Sequence, residues 1–281
     1  MRQTIRIEKK REALSLIPQI AYTSVPCWYG CTRKNLYMDL IVPKTMEGHE
    51  KMPAVVWVCG GAYMVMDRSV WLPEMMSFAR AGFVVASVDY RTSNEVCFPE
   101  PLQDVKTAVR YLKAHAEEYC IDPDHIFIMG ESAGGTMASL VGTTAGIKEY
   151  DRGPYLEYDS SVAGVVDYYG LVTLNKNLSG LTGAVPDYAI EAFLGVRYSE
   201  ETAREASAAD HVDSSTPPFM ILHGTEDDVV PIAQSDTMYK KLEEAGVEAE
   251  FLIVEGASHG DDLFYQEEMT DRVISFLKRH L

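Results

Sequence analysis

The sequence predicts an α/β fold in which a mostly parallel central sheet carries helices on both faces. Three observations predict it. Short, nearly continuous apolar runs such as Ala54-Val-Val-Trp-Val-Cys59 and Phe83-Val-Val-Ala-Ser-Val88 read as strands covered on both sides. These runs alternate with segments of helical period, as in a parallel sheet joined by crossover helices. Finally, the apolar run Ile126–Met129 passes straight into Gly130-Glu-Ser-Ala-Gly-Gly135 and then into the helix-forming Thr136–Val141, which makes a strand, a tight turn and a helix in succession.

Taken in order, residues 1–18 read as a helical or loose lead-in. Gln19–Val25 and Asn35–Val42 read as two strands, the second alternating as in an antiparallel pair. Ser69–Ala81 is expected to be helical. Pro101 opens the clearest helix, with Leu102, Val105, Val109 and Leu112 at helical spacing and proline suited to a first turn. Ala163–Tyr169, Pro218–His223 and Ala249–Val254 supply further strands. Helices are expected over Ala233–Ala245 and from Asp262 to the end. The chain has no repeat or linker, so its 281 residues are read as one domain. The least regular piece, 171–209, is long for a bare connection and is expected to form a small lid, with Leu174, Leu178, Leu181, Tyr188, Ile190 and Phe193 available to cover a site.

A net charge of −17 argues against nucleic acid or an anionic membrane as partner. No stretch approaches the roughly 20 apolar residues of a membrane span, and no apolar region follows the basic N-terminus as in a signal peptide. The five cysteines are odd in number and lack metal-ligand spacing. Free thiols in a reducing, cytoplasmic setting are expected, with no cofactor and no metal. The sequence does not set an oligomeric state; a homodimer is compatible with it.

Gly130-Glu-Ser-Ala-Gly134 fits G-x-S-x-G in the strand–turn–helix context of a nucleophile elbow, which makes Ser132 the candidate nucleophile. A serine hydroxyl needs a base to take its proton. In sheets of this kind the acid and base follow the serine, each on a loop after a later strand. His259 follows the Ala249–Val254 strand and is the candidate base; Asp227 follows the Pro218–His223 strand and is its candidate orienting carboxylate. Glu226 and Asp228 flank Asp227, and Asp228 is the reserve. Asp261 and Asp262 lie too near His259 in sequence and suit helix capping. His223 is expected to hold the loop that carries Asp227. Gly61, Ala62 and Ala133 are the candidate N–H donors for an oxyanion, the first two in the small-residue loop Cys59-Gly-Gly-Ala-Tyr63. Tyr63, Tyr90 and Tyr169 are candidate substrate contacts, beside Tyr168, although core packing explains such residues equally well.

These stretches, together with Tyr37–Pro43, Asp89-Tyr-Arg91, Phe98-Pro99 and Asp167-Tyr-Tyr-Gly170, resemble the α/β-hydrolase fold. Within it, the chain resembles the small esterases related to hormone-sensitive lipase and to bacterial acetyl- and feruloyl-esterases. The resemblance runs from about residue 35 to the end. It implies a serine esterase acting through an acyl-enzyme on a small-molecule ester, with short acyl groups such as acetyl on carbohydrate or plant-derived molecules. A feruloyl esterase and a peptidase of the prolyl oligopeptidase kind are the alternatives; the large extra domain of the latter is missing. A ligand receptor on this fold would typically lack the histidine. Two positions depart from the family: Cys59 stands where a loop-supporting histidine is usual, and Glu131 where Asp or His is frequent.

Overall fold

The computed structural model describes residues 1–46, 48–174 and 187–281. Among them, eight strands form one sheet in the order β1-β2-β4-β3-β5-β6-β7-β8. The strands are β1 (Leu14–Cys27), β2 (Thr32–Pro43), β3 (Met52–Val58), β4 (Val84–Val88), β5 (Ile121–Glu131), β6 (Gly164–Tyr168), β7 (Phe219–Gly224) and β8 (Ala249–Val254). β1 and β2 pair antiparallel, β2 runs antiparallel to β4, and the rest are parallel. β3, β4, β6 and β7 are the apolar runs read from the sequence, and covering by helices on both faces buries them.

Seven helices cover the sheet among the described residues: α1 (Leu72–Arg80), α2 (Glu100–Ala114), α3 (Ala133–Thr143), α4 (Asp187–Leu194), α5 (Glu200–Glu205), α6 (Ala233–Ala245) and α7 (Glu267–Arg279). α2 buries Leu102, Val105, Val109 and Leu112 as its period requires. It also buries Lys106 and Arg110, whose charged ends reach Thr144 O at 2.7 Å and Asp151 at 3.1 Å. A buried cation needs such acceptors, so these two pin the 144–154 connection onto α2.

Three elements differ from their sequence-based outlines. The lead-in, read as helical or loose, is without helix or strand to residue 13 and a strand from Leu14 onward, because Leu14–Ile17 pair with Leu40–Pro43 of β2, a partner that no local pattern announces. α1 begins at Leu72 rather than Ser69: the Asp67 carboxylate accepts the Ser69 N–H at 2.8 Å and holds that residue in a turn. α7 begins at Glu267 rather than Asp262, since Asp261 caps a separate short turn over Asp262–Tyr265 through the Leu263 N–H at 3.0 Å. In the 171–209 stretch, Leu178 and Leu181 lie outside the described residues. The described part carries α4 and α5, and Phe193 of α4 stacks on Tyr63 at 4.2 Å between ring centres.

Candidate active site

The carboxyl ends of β3, β5, β7 and β8 gather the candidate residues. Ser132 sits between β5 and α3 at φ 54°, ψ −121°, a conformation that L-residues rarely adopt. Its N–H is held by Tyr168 O at 2.9 Å. The turn works because Gly134 has no side chain: a Cβ there would lie 2.0 Å from Val58 O. Three neighbours share positive φ, namely Ala62 at 52°, Tyr63 at 63° and Tyr169 at 45°. Strained backbone thus collects at the ends of β3, β5 and β6, around one point. α3 starts at Ala133, whose N–H has no partner within its own helix and lies at the positive end of the helix dipole.

Ser132, His259 and Asp227 form one hydrogen-bonded chain. Ser132 Oγ lies 2.9 Å from His259 Nε2, and His259 Nδ1 lies 2.8 Å from Asp227 Oδ2. The Asp227 side chain is fully buried, and that of His259 is 16% exposed. Asp227 Oδ1 accepts the N–H groups of Val229 and Val230 at 2.9 and 2.8 Å. Burial by itself raises the Asp227 pKa, but hydrogen bonds from His223, His259 and Val230, with the charge His259 can carry, outweigh it and hold the carboxyl well below its usual range. Glu226 and Asp228 are exposed, so Asp227 alone of the three turns inward. His223 is buried behind it, bonded to Ser235 Oγ at 2.7 Å and to Val230 O at 2.8 Å, and lies 3.3 Å from Asp227.

The loop after β3 stands against the elbow. Gly60 N–H is occupied by Glu131 Oε1 at 2.5 Å, which leaves Gly61 and Ala62 as the next N–H groups along the loop. Tyr90 hydroxyl donates to Cys59 O at 2.8 Å, Ser93 N–H to Tyr63 O at 2.8 Å, and Arg68 lies 2.9 Å from Asp89 and 3.0 Å from Asp39. The Cys59 thiol contacts Asp67 O at 3.2 Å, and burial pushes its pKa up to about 12, so it is a neutral, inert thiol.

The three candidate contact tyrosines are buried, with at most 1% of each exposed. Tyr63 hydroxyl meets Thr136 Oγ1 at 2.9 Å, Tyr90 hydroxyl is spent on Cys59 O, and Tyr169 hydroxyl is 3.4 Å from Tyr265. Tyr169 sets its ring 4.7 Å from the His259 ring, edge to face. All three therefore direct their hydroxyls to other protein groups.

The sequence reading did not single out Trp71, which stacks on Tyr265 at 4.5 Å and, with Glu131, lines a groove of about 300 Å³ beside Gly60 and Gly61. An aromatic residue at a helix start carries no signal of its own. Surface cavities of about 410 and 550 Å³ along β8 and α7 are lined by none of the candidate residues. Among the described residues, no group of His, Cys, Asp and Glu could hold a metal ion, and no helix is long and apolar enough to cross a membrane.

This sheet, with its elbow after β5, is the α/β-hydrolase fold. Residues 38–242 match the BD-FAE family, to which the chain belongs. A probable isoprenylcysteine alpha-carbonyl methylesterase of Arabidopsis thaliana is 29% identical over 86% of this chain and 51% of its own length. Esterase LipC of Mycobacterium tuberculosis is 30% identical over 75% of this chain and 53% of its own. The chain thus spans about half the length of these curated relatives. A truncated form of a carbohydrate esterase from gut microbiota superposes with a TM-score of 0.82 at 27% identity, over 95% of this chain and 96% of that one.

Proposed function

We propose that the protein is a serine carboxylesterase that hydrolyses short-chain acyl esters, acetyl esters of carbohydrates first among them. The observation that carries the reading is the Ser132–His259–Asp227 hydrogen-bonded chain at the end of the elbow strand. Ser132 Oγ attacks the ester carbonyl as its proton passes to His259 Nε2. Asp227 holds the Nδ1–H and favours the imidazolium that forms. Negative charge on the former carbonyl oxygen is met by the N–H groups of Gly61, Ala62 and Ala133. His259 then protonates the leaving alcohol, and a water molecule activated by the same base releases the acid from Ser132. The esterase names of the relatives support the reaction class, and the carbohydrate esterase covered over nearly its whole length supports the sugar-ester reading.

The test pairs labelling with a substrate panel. A fluorophosphonate should label the wild-type chain at Ser132 and leave Ser132→Ala unlabelled. On acetylated sugars, feruloyl esters and aminoacyl amides, kcat/KM should be highest for the acetyl sugars. A preference for feruloyl esters would replace the acyl assignment, and a preference for amides would replace the reaction class.

A further inference from the structure

We propose that Glu131 is a positioning residue for the oxyanion loop, its carboxylate holding Gly61 and Ala62 in place by accepting the Gly60 N–H. This rests on the ester-hydrolysis reading above. Glu131 is the last residue of β5, and the loop leaves β3 next door, where Val58 pairs with Gly130. Glu131 Oε1 takes the Gly60 N–H at 2.5 Å. The carboxylate also fills the space that a side chain at position 60 would need: a Cβ there would lie 2.6 Å from Oε1 and 2.7 Å from Oε2. Trp71, at the start of α1, hydrogen-bonds the same carboxyl group. One carboxylate therefore ties together the elbow strand, the oxyanion loop and the entry to α1.

The neighbouring position explains why the loop needs such a brace. Cys59, which precedes the loop glycines, spends its thiol on Asp67 O and gives Gly60 no acceptor. An ionised acceptor bonds an N–H about twice as strongly as a neutral one, so a carboxylate is a fitting brace. The carboxyl is faced by Cys59 and Asp67 of the loop, Tyr90 beyond β4, Tyr169 beyond β6, Tyr265 before α7, and His259. Of these only His259 can bring a positive charge. Burial pushes the Glu131 pKa to about 7, against the Gly60 N–H, His259 and Trp71, so the brace is half-charged near neutrality.

The experiment measures p-nitrophenyl acetate hydrolysis by the whole chain across pH. Glu131→Ala should lose about 30-fold in kcat with KM within about threefold, less than the roughly 10²–10³ of deleting an oxyanion donor outright. Stoichiometric fluorophosphonate labelling of Ser132 would show that this variant is folded. Glu131→Gln, whose amide oxygen can accept the same N–H, should recover to within about fivefold of wild type. The ratio of wild-type to Glu131→Gln kcat should rise from near one in acid to at most about fivefold in base, as the Glu131 carboxyl ionises around pH 7. Glu131→Ala within threefold of wild-type kcat, Glu131→Gln as impaired as Glu131→Ala, or a ratio of wild-type to Glu131→Gln kcat that does not change with pH would each overturn the proposal. If Glu131→Ala does not fold, the recovery and the pH profile of Glu131→Gln decide. A wild-type chain that neither labels nor hydrolyses the ester would instead remove the esterase reading, and this proposal with it.

Discussion

Asp227 and Glu131 are both withdrawn from water and both within electrostatic reach of His259, yet their environments drive them in opposite directions. On the acid loop, Asp227 receives His259, His223 and two backbone N–H groups, and these donors overcome the cost of burial. At the elbow, Glu131 receives Gly60 N–H and Trp71, and burial prevails. In this pair the carboxyl with more donors, two of them imidazoles, is held charged, while for the one with fewer donors burial is the larger influence. The pair also separates two settings: a carboxylate held charged against the His259 imidazole, and a titrating carboxyl bonded to the loop in which we propose the oxyanion donors.

The largest expected effect comes from removing the proposed nucleophile. Ser132→Ala should lower kcat on p-nitrophenyl acetate by about 10⁴-fold or more while leaving the unfolding midpoint nearly unchanged. A variant that keeps a tenth of wild-type turnover would mean that the elbow serine is not the nucleophile.

Next comes the acid loop. Asp227→Asn should cost about 10³-fold in kcat, because the amide cannot hold the His259 tautomer, whereas Asp228→Asn should stay within about twofold. Losses in the reverse order would show that the exposed neighbour does the work.

The contrast is sharpest in stability against pH. Asp227 has a depressed folded pKa, so its stabilisation is present above the usual carboxylate pKa of about 4 and is lost as pH falls below it. Glu131 has a folded pKa raised from 4.5 to about 7, so folding loses stability as pH climbs through that window. Glu131→Gln should therefore be more stable than wild type at pH 8 by up to about 3 kcal/mol, with the gap closing near pH 4. Urea unfolding of both proteins across that range checks it, and a gap of constant size would mean that Glu131 does not titrate in the folded protein.

The smallest effect concerns the acyl side. From acetyl–butyryl to octanoyl p-nitrophenyl esters, kcat/KM should fall by about tenfold, roughly 1.4 kcal/mol of transition-state binding. A maximum at octanoyl or longer would replace the short-chain reading with a lipase-like one.

The sequence by itself determined what depends on near neighbours along the chain. Apolar runs marked β3, β4, β6 and β7, helical spacing marked α2, and three glycines around Ser132 marked a turn that no larger residue would permit. The order of Ser132, Asp227 and His259 along the alternating strands was likewise legible, because parallel strands put successive loops on one edge. Sequence position already favoured Asp227 over Glu226 and Asp228; the tertiary structure added the reason, since His223 and His259 close over Asp227 and leave its neighbours exposed. It alone directed the hydroxyls of Tyr63 and Tyr90 into the protein and made a strand of Leu14–Ile17. It alone brought Glu131 to Gly60, 71 residues away. Most of these are contacts between groups far apart in sequence, brought together by the pairing of neighbouring strands, and local pattern carries no record of that pairing.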